Sequence, residues 1–268
     1  MRKKWKYYEN DNKEEAIKLE EKFNVNKLLA MIMANRGITE KNAEIFLNPN
    51  RHDFHDPFKM PDMEEAVNRI VKAIENNEKT IIFGDYDVDG ITSTTVLKSF
   101  LKDRGLDVGN YIPNRLKEGY GLNKDAIEKI AKDGYTLMIT VDCGITGNEE
   151  IEFAKSLGIE TIVTDHHEPA EELPNAIAVV DCKRKDNKYP FRELAGVGVA
   201  FKLTQAISIR LGLDEKEYLK YLDIVSIGTI SDIVPLVDEN RVITKLGLKL
   251  VRCTKNIGLQ AILNEIRI

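Results

Sequence analysis

Carboxylate and imidazole side chains follow apolar runs at several places in this 268-residue sequence, and they are the groups best suited to chemistry. The first such stretch places Asp85, Asp87 and Asp89 at alternate positions directly before Gly90. Three carboxylates this close together repel one another, and a bound cation would offset the repulsion. The stretch therefore predicts a divalent-metal site, with an acidic solvated turn as the simpler alternative.

Later stretches supply further groups of the same kind. Asp142 ends one apolar run, the triplet Asp165-His166-His167 ends another, and Asp232 follows a helical segment. In a doubly wound sheet the carboxyl ends of adjacent strands meet at one crevice, so these groups are expected to cluster with the first three acids. Oxygen and imidazole ligands together suit Mn²⁺, and less selectively Mg²⁺ or Zn²⁺. Each group alone has a simpler explanation as a satisfied polar residue, and only the joint pattern predicts a metal centre.

The segments that must position these residues alternate between short apolar strands and helices of about ten residues. Strands are predicted over residues 80–83, 108–112, 136–141, 160–163 and 176–180, and helices over 63–76, 92–103, 124–132 and 148–156. This alternation predicts an α/β fold, a doubly wound and mainly parallel sheet flanked by helices, with right-handed crossovers. Thr92 or Ser93 is expected to cap the helix that follows Gly90.

Helical segments are predicted on both sides of this core. Residues 1–58 are expected to form a small N-terminal helical region, residues 59–240 the main domain, and residues 241–268 a C-terminal helical segment. Within the last part of the chain, helices are predicted over 198–211 and 216–225 and after residue 244.

Composition limits the classes of function. Lys and Arg number 39 against 44 Asp and Glu, and the net charge of −5 disfavours a protein that coats duplex DNA through charge alone. The net charge remains compatible with a nucleic-acid substrate that is bound by a local cluster of basic residues. The 3 widely spaced cysteines fit neither a zinc cluster nor a disulfide framework, which favours a reducing cytoplasm. No apolar run reaches about 18 residues, so neither a transmembrane helix nor a membrane partner is predicted.

Together these stretches resemble the four motifs of the DHH phosphoesterase superfamily. The matching stretches are residues 84–90, Asp142, the Asp165-His166-His167 triplet and residues 227–232. Residues 35–38, 113–122 and 194–202 are further similar to the RecJ-like single-strand-specific exonucleases of that superfamily. The resemblance runs from about residue 25 to residue 240.

The resemblance implies two bound ions, Mn²⁺ or Mg²⁺. The expected ligands are Asp87 for one ion, Asp89, His166 and Asp232 for the other, and Asp142 as the bridge. Related phosphoesterases carry a histidine at the position of Phe83, so one ion is expected to bind more loosely and to fill only with substrate.

The resemblance also assigns catalytic roles around the ions. Asp85 and Asp165 would orient the ligands, whereas His167 and Arg115 would contact phosphate oxygens, for which the planar guanidinium offers paired donors. Water activated by two ions would attack the phosphorus in line, without a Ser or Cys nucleophile. Residues that could add grip on a strand are Tyr86, Tyr120 and the run Lys183-Arg184-Lys185, although a solvated loop is the simpler explanation of that run.

The implied function is 5′→3′ hydrolysis of single-stranded DNA, rather than RNA, by a cytoplasmic enzyme of repair or recombination that works with repair or replication proteins. Hydrolysis of very short RNAs or cyclic dinucleotides is an open alternative, as is a non-catalytic replication or repair module, which the intact ligand set disfavours. A pyrophosphatase is disfavoured by the RecJ-like stretches. Enzymes of this kind normally continue into a second domain that grips substrate. This chain is therefore expected to be truncated or naturally minimal, and to bind metal without processive grip.

Overall fold

The structure of the chain is a computed structural model that describes residues 12–266. The chain divides into two compact units, one that ends at Asp53 and another that begins at Phe54. Residues 1–11 of the predicted N-terminal region, and residues 267–268, lie outside the described part. The first unit contains α1 (Lys13–Phe23), α2 (Lys27–Asn35) and α3 (Ala43–Leu47). Its first two helices bury Leu19 and Met33, in agreement with the amphipathic pattern of this region.

Five parallel strands form the centre of the second unit, in the spatial order β2-β1-β3-β4-β5. They are β1 (Thr80–Gly84), β2 (Val108–Tyr111), β3 (Leu137–Val141), β4 (Glu160–Asp165) and β5 (Ala178–Asp181). The central strands β1 and β3 are buried along their whole length, as parallel strands covered on both faces must be. The predicted α/β fold with a doubly wound parallel sheet is confirmed.

Helices cover both faces of this sheet because neighbouring strand residues point to opposite sides. Ile82 packs in the cluster that contains α4 (Met63–Glu75), α5 (Val88–Lys102) and α8 (Gly196–Arg210), whereas Phe83 packs in the cluster that contains α6 (Lys124–Lys132) and α7 (Asn148–Ser156). The chain then continues through α9 (Lys216–Leu219), α10 (Leu222–Ser231), α11 (Asp238–Val251) and α12 (Ile257–Glu265). Within residues 12–266, no helix has the length and apolar character needed to span a bilayer.

The strand register brings the carboxyl ends of the strands to one edge of the sheet. Val141 lies opposite Gly84 on one side and Thr164 on the other, and Asp165 lies opposite Asp181. The segments that follow β1, β3 and β4 therefore leave the sheet side by side, as the sequence predicted.

The structure corrects the predicted start of α5. The helix begins at Val88 rather than near residue 92, because Asp87 caps it by accepting a hydrogen bond from the Gly90 N–H at 2.9 Å. Thr92 lies inside the helix and donates from Oγ1 to the Val88 carbonyl at 2.8 Å. Ser93 also lies inside the helix, so the prediction that Thr92 or Ser93 is the cap is wrong.

The later helices differ from the prediction in their limits. The helix predicted over 216–225 consists of α9 and α10, and α10 extends to Ser231. The predicted boundary at residues 240/241 falls inside α11, which begins at Asp238. At the other boundary, Phe54 and Phe58 already pack against the core of the second unit. The predicted three-part division of the chain stays a prediction.

Candidate metal centre

The acids and imidazoles singled out in the sequence come together at the carboxyl edge of the sheet. They are carried by the segment after β1, the first turn of α5, the ends of β3 and β4, and the end of α10, which packs against α5. In chain order these residues are Asp85, Asp87, Asp89, Asp142, Asp165, His166, His167 and Asp232.

One group of ligand atoms comes from Asp89, His166 and Asp232, and these atoms lie within 4.8 Å of one another. His166 Nε2 lies 3.7 Å from Asp89 Oδ2, and His166 Nδ1 lies 3.8 Å from Asp232 Oδ2. Asp89 and His166 are buried, whereas Asp232 is partly exposed. The group has the three side chains that were predicted to hold one of the two ions.

Asp142 links this group to a second one. Ligand atoms of Asp85, Asp87 and Asp142 also lie within 4.8 Å of one another, as do those of Asp142, His166 and His167. Asp142 Oδ1 lies 3.1 Å from His166 Nε2. Asp142 therefore lies between the two groups. Asp85, predicted only to orient other ligands, lies within ligand distance itself.

The backbone of Asp142 is strained, and its carboxylate fits tightly against α8. Its φ of 59° lies in the left-handed region, which residues other than glycine rarely adopt. A β-carbon on Gly196 would stand 2.6 Å from Asp142 Oδ1. The start of α8 therefore requires glycine, and the surrounding packing holds a strained acid in place, as is common at functional sites.

The N-terminus of α8 also holds Asp89. The Gly196 N–H donates to Asp89 Oδ2 at 2.6 Å, and the Val197 N–H donates to Oδ1 at 2.9 Å. Free N–H groups and the helix dipole favour a carboxylate at this position. This contact gives the glycine-containing stretch at residues 194–202 a physical role that sequence reasoning had not found.

Asp165 orients the segment that carries the two histidines. Its Oδ1 accepts hydrogen bonds from His166 N at 2.8 Å and His167 Nδ1 at 2.7 Å, and its Oδ2 accepts one from Ile145 N at 2.9 Å. Burial alone would raise the pKa of Asp165, but these hydrogen bonds hold it below its usual value. The bond to Asp165 raises the pKa of His167 to about 9. The geometry agrees with a supporting role for Asp165. Because Asp165 contacts Nδ1, the other ring nitrogen of His167, Nε2, has no hydrogen bond to Asp165.

Arg115 and Tyr120 lie on the connection between β2 and α6, at the outer rim of the centre. The Arg115 guanidinium lies 5.3 Å from the centre of the Tyr86 ring, a distance typical of cation–π contacts. The Tyr120 hydroxyl lies 3.4 Å from His167 Nδ1, and the two rings meet at 79°. Tyr86 belongs to the segment after β1, between Asp85 and Asp87. Its contact with Arg115 therefore places the guanidinium beside that acidic segment.

The carboxyl groups of the centre cannot all ionise without a compensating cation. Burial, with a contribution from neighbouring carboxylates, raises the pKa of Asp142 to about 9 and that of Asp89 to about 8. Burial also raises the pKa of Asp85 and of Asp232. Oδ1 of Asp85 and Oδ1 of Asp142 are buried and accept no hydrogen bond from any described residue. Unsatisfied oxygens beside an imidazole are the donor set that Mn²⁺ or Mg²⁺ would use, so the residues fit such ions.

Sequence reasoning missed Asp181, the last residue of β5. It lies opposite Asp165 in the sheet and is fully buried, and within residues 12–266 its Oδ2 accepts no hydrogen bond. Burial raises the pKa of Asp181 to about 7. The sequence contained the necessary signal, an apolar strand ending in an acid, but the strand was predicted to stop one residue earlier.

Comparison with known proteins gives a family match. The model of the DHH family, N-terminal domain, matches residues 79–229, more than half of the chain. The single-stranded-DNA-specific exonuclease RecJ of Bacillus subtilis is 47% identical over 246 residues, which are 91% of this chain and 30% of that protein. The protein of the same name from Escherichia coli is 37% identical over 212 residues, 75% of this chain and 37% of that protein. The chain thus spans about a third of the length of these relatives.

Two solved structures have a similar fold. An exonuclease RecJ bound to manganese matches with a TM-score of 0.71 and 35% identity, over 77% of this chain and 52% of that chain. RecJ from Thermus thermophilus in complex with Mn²⁺ matches with a TM-score of 0.79 and 29% identity, over 94% of this chain and 35% of that chain. Both agree with the parallel sheet and flanking helices described above.

Proposed function

Because the chain belongs to the DHH family, we propose that it is a metal-dependent phosphodiesterase that hydrolyses single-stranded DNA from the 5′ end. One observation carries the proposal, namely that carboxylate and imidazole groups of the described residues form three sets of close ligand atoms, which Asp142 and His166 connect. Such sets suit a pair of cations, which lie roughly 3.5–4 Å apart in two-metal nucleases and phosphatases. The names of the relatives, single-stranded-DNA-specific exonucleases, support the substrate class.

The proposed cofactor is a pair of Mn²⁺ or Mg²⁺ ions, the metals bound in similar RecJ structures. When bound, the ions would supply the Lewis acidity that makes water a nucleophile near neutral pH and that neutralises charge on the phosphate. Phe83 is buried and offers no ligand atom, so we propose that one ion binds more weakly than the other. The proposed ligands are Asp87 for one ion, Asp89, His166 and Asp232 for the other, and Asp142 between them.

Side chains of the protein hold and orient the phosphate in this proposal. Asp165 fixes His167 through Nδ1, so that the Nε2 proton of His167 can be donated to a phosphate oxygen. Arg115, supported by the Tyr86 ring, offers its paired donors from the rim. Asp165 keeps the two histidines in position by hydrogen bonds, and Asp85 acts on the neighbouring acids through its charge.

The biological setting is a further part of the proposal and rests on the family resemblance. We infer a role in DNA repair or recombination in the cytoplasm, with DNA preferred over RNA as substrate. Repair or replication proteins are the expected protein partners.

The direct test is an activity screen of the chain with Mn²⁺ on labelled single-stranded DNA, duplex DNA, short oligoribonucleotides and cyclic dinucleotides. Nucleoside 5′-monophosphates are expected from the single strand, released progressively from its 5′ end. Asp142→Asn is expected to lower kcat by more than about a hundredfold, because it removes a charged ligand shared by both cations. Asp125→Asn, an exposed acid in the first turn of α6, is the matched control and should retain activity.

Other outcomes would replace the proposal. Hydrolysis of di- to tetranucleotides or cyclic dinucleotides, without attack on longer strands, would indicate an oligonucleotide phosphodiesterase. Absence of hydrolysis, together with calorimetry that detects no Mn²⁺ binding up to millimolar concentrations, would indicate a non-catalytic module.

A further inference from the structure

The basic run Lys183-Arg184-Lys185 divides into three different environments just after β5. Arg184 is buried, and its Nη1 donates to Asp62 Oδ2 at 2.6 Å and to the Val179 carbonyl at 2.5 Å. Lys185 is exposed. The Lys183 side chain is only 22% exposed. Arg184 therefore has a structural role, and the two lysines are not equivalent.

Two contacts place Lys183 next to the strand ends that carry the candidate metal centre. Its N–H donates to Asp181 Oδ1 at 2.6 Å, and Asp181 lies opposite Asp165 of the neighbouring strand. Its Nζ lies 3.7 Å from Oε1 of Glu168, the residue that follows the Asp-His-His triplet.

We propose that Lys183 binds a backbone phosphate of the single strand beside the Asp165-His166-His167 triplet. This inference rests on the proposed function, because a phosphate reaches Lys183 only if a strand reaches the metal centre. A Lys ammonium is a compact cation with three donors, and it suits a phosphate. The acids of the centre repel a polyanion, so a cation next to them provides the charge complementarity that the strand needs.

Glu168 is the group with which a phosphate must compete. Its side chain is 78% exposed, and exposed ion pairs of this kind contribute little to stability. A phosphate can therefore displace it from Lys183 at small cost. Removal of the Glu168 charge is then expected to strengthen substrate binding, the opposite of the effect of removing Lys183.

The test measures kcat and KM of the whole chain on a 5′-labelled oligodeoxythymidylate with Mn²⁺ at several KCl concentrations. Lys183→Ala is expected to lower kcat/KM by about tenfold, chiefly through KM. It should also reduce the slope of log kcat/KM against log salt by about 0.7, the effect of losing one phosphate contact on a single strand. Lys183→Arg should retain most of the activity, and Glu168→Gln should lower KM.

Lys185→Ala, from the same run, is the matched control and should leave kcat/KM and its salt dependence unchanged. Equal melting temperatures for Lys183→Ala and Lys183→Arg would exclude a purely structural effect. If the wild-type chain is active and Lys183→Ala matches it, or loses activity without a change in salt slope, the inference is wrong while the proposed function stands. An inactive wild-type chain would overturn both.

Discussion

At the scale of single residues, the absence of a side chain at Gly196 matters as much as the carboxylate of Asp142. A β-carbon at position 196 would stand 2.6 Å from Asp142 Oδ1 and would push the carboxylate away. Because a displacement of about 1 Å can cost a hundredfold in rate, Gly196→Ala is expected to lower kcat by about that factor. It should also weaken Mn²⁺ binding measured by calorimetry.

Gly198→Ala provides a matched control for this prediction within the same helix. A β-carbon there would meet Leu194 Cδ2 at 3.2 Å and Cβ at 3.3 Å, so that a shift of a few tenths of an ångström accommodates it. Alanine is also favoured over glycine inside helices, so this variant should keep both its stability and its activity. Similar activity losses in the two variants would show that the effect comes from α8 as a whole and not from Asp142.

The sequence revealed the acids of the centre but not the residues that shape the space around them. An acid after an apolar strand is visible as a local pattern, which is why Asp87, Asp89 and Asp142 could be singled out in the sequence. The need for glycine at position 196 arises from an approach between α8 and the end of β3, segments far apart in the chain. No local pattern encodes such an approach, and it becomes visible only in three dimensions.

At the scale of elements, Asp87 has two roles, because it caps α5 and belongs to the acid cluster. Asn caps helices as well as Asp does, whereas Ala does not, and loss of a cap costs about 1 kcal/mol. In EDTA, Asp87→Ala is therefore expected to lower the free energy of unfolding by about 1 kcal/mol, and Asp87→Asn is expected not to lower it. Both variants should lose Mn²⁺-dependent hydrolysis, because neither supplies the charged ligand. Urea denaturation and rate measurements on the same preparations check the two roles separately.

The paired design separates the two roles of Asp87 clearly. Activity retained in Asp87→Asn would remove this residue from the proposed ligand set. Equal stability of the two variants in EDTA would mean that the hydrogen bond to the Gly90 N–H makes no measurable contribution.

The same double role explains why the start of α5 was predicted wrongly. The sequence prediction began the helix only after Gly90, although free N–H groups and the helix dipole favour acids at a helix N-terminus. The structure has α5 begin at Val88, with one acid as its cap and the other held by the N–H groups of α8. Strands and amphipathic helices could be predicted from hydrophobic periodicity. Helix limits failed where a functional acid also serves as a cap.

At the scale of the second unit, a buried ion pair connects segments that are distant in the sequence. Lys202 on α8 and Glu239 on α11 are fully buried, with Nζ and Oε1 2.8 Å apart. Lys202 Nζ also donates to the His55 carbonyl at 2.6 Å, and Glu239 Oε1 accepts from the His55 N–H at 2.9 Å. The pair therefore connects the start of the second unit to two of its later helices, and no sequence pattern indicated that the two residues would pair.

Removal of one partner leaves an unpaired buried charge. Lys202→Met and Glu239→Gln are each expected to lower the free energy of unfolding by about 3–5 kcal/mol. The double variant should lose much less than the sum, because it leaves no ion behind. A double-mutant cycle by urea denaturation measures the difference, and additive losses would show that the two side chains do not stabilise each other.

Stability of the whole molecule should depend on pH in a way that cations reverse. Without a cation, the pKa values of Asp142, about 9, and Asp89, about 8, lie above their ordinary value. The folded chain then binds more protons than the unfolded chain between about pH 4 and pH 9, so the free energy of unfolding should fall as pH rises.

Bound cations favour the ionised carboxylates and remove this loss. At a fixed Mg²⁺ concentration the stabilisation should therefore grow with pH, and each ion contributes about 2.7 kcal/mol where its concentration is a hundred times its Kd. Melting temperatures in EDTA and in Mg²⁺ across this range provide the test, with Asp142→Asn expected to flatten the EDTA curve and to lose most of the gain. A melting temperature in EDTA that rises steadily with pH in the wild type would contradict the argument, because it would mean that these acids ionise freely in the folded chain without a cation.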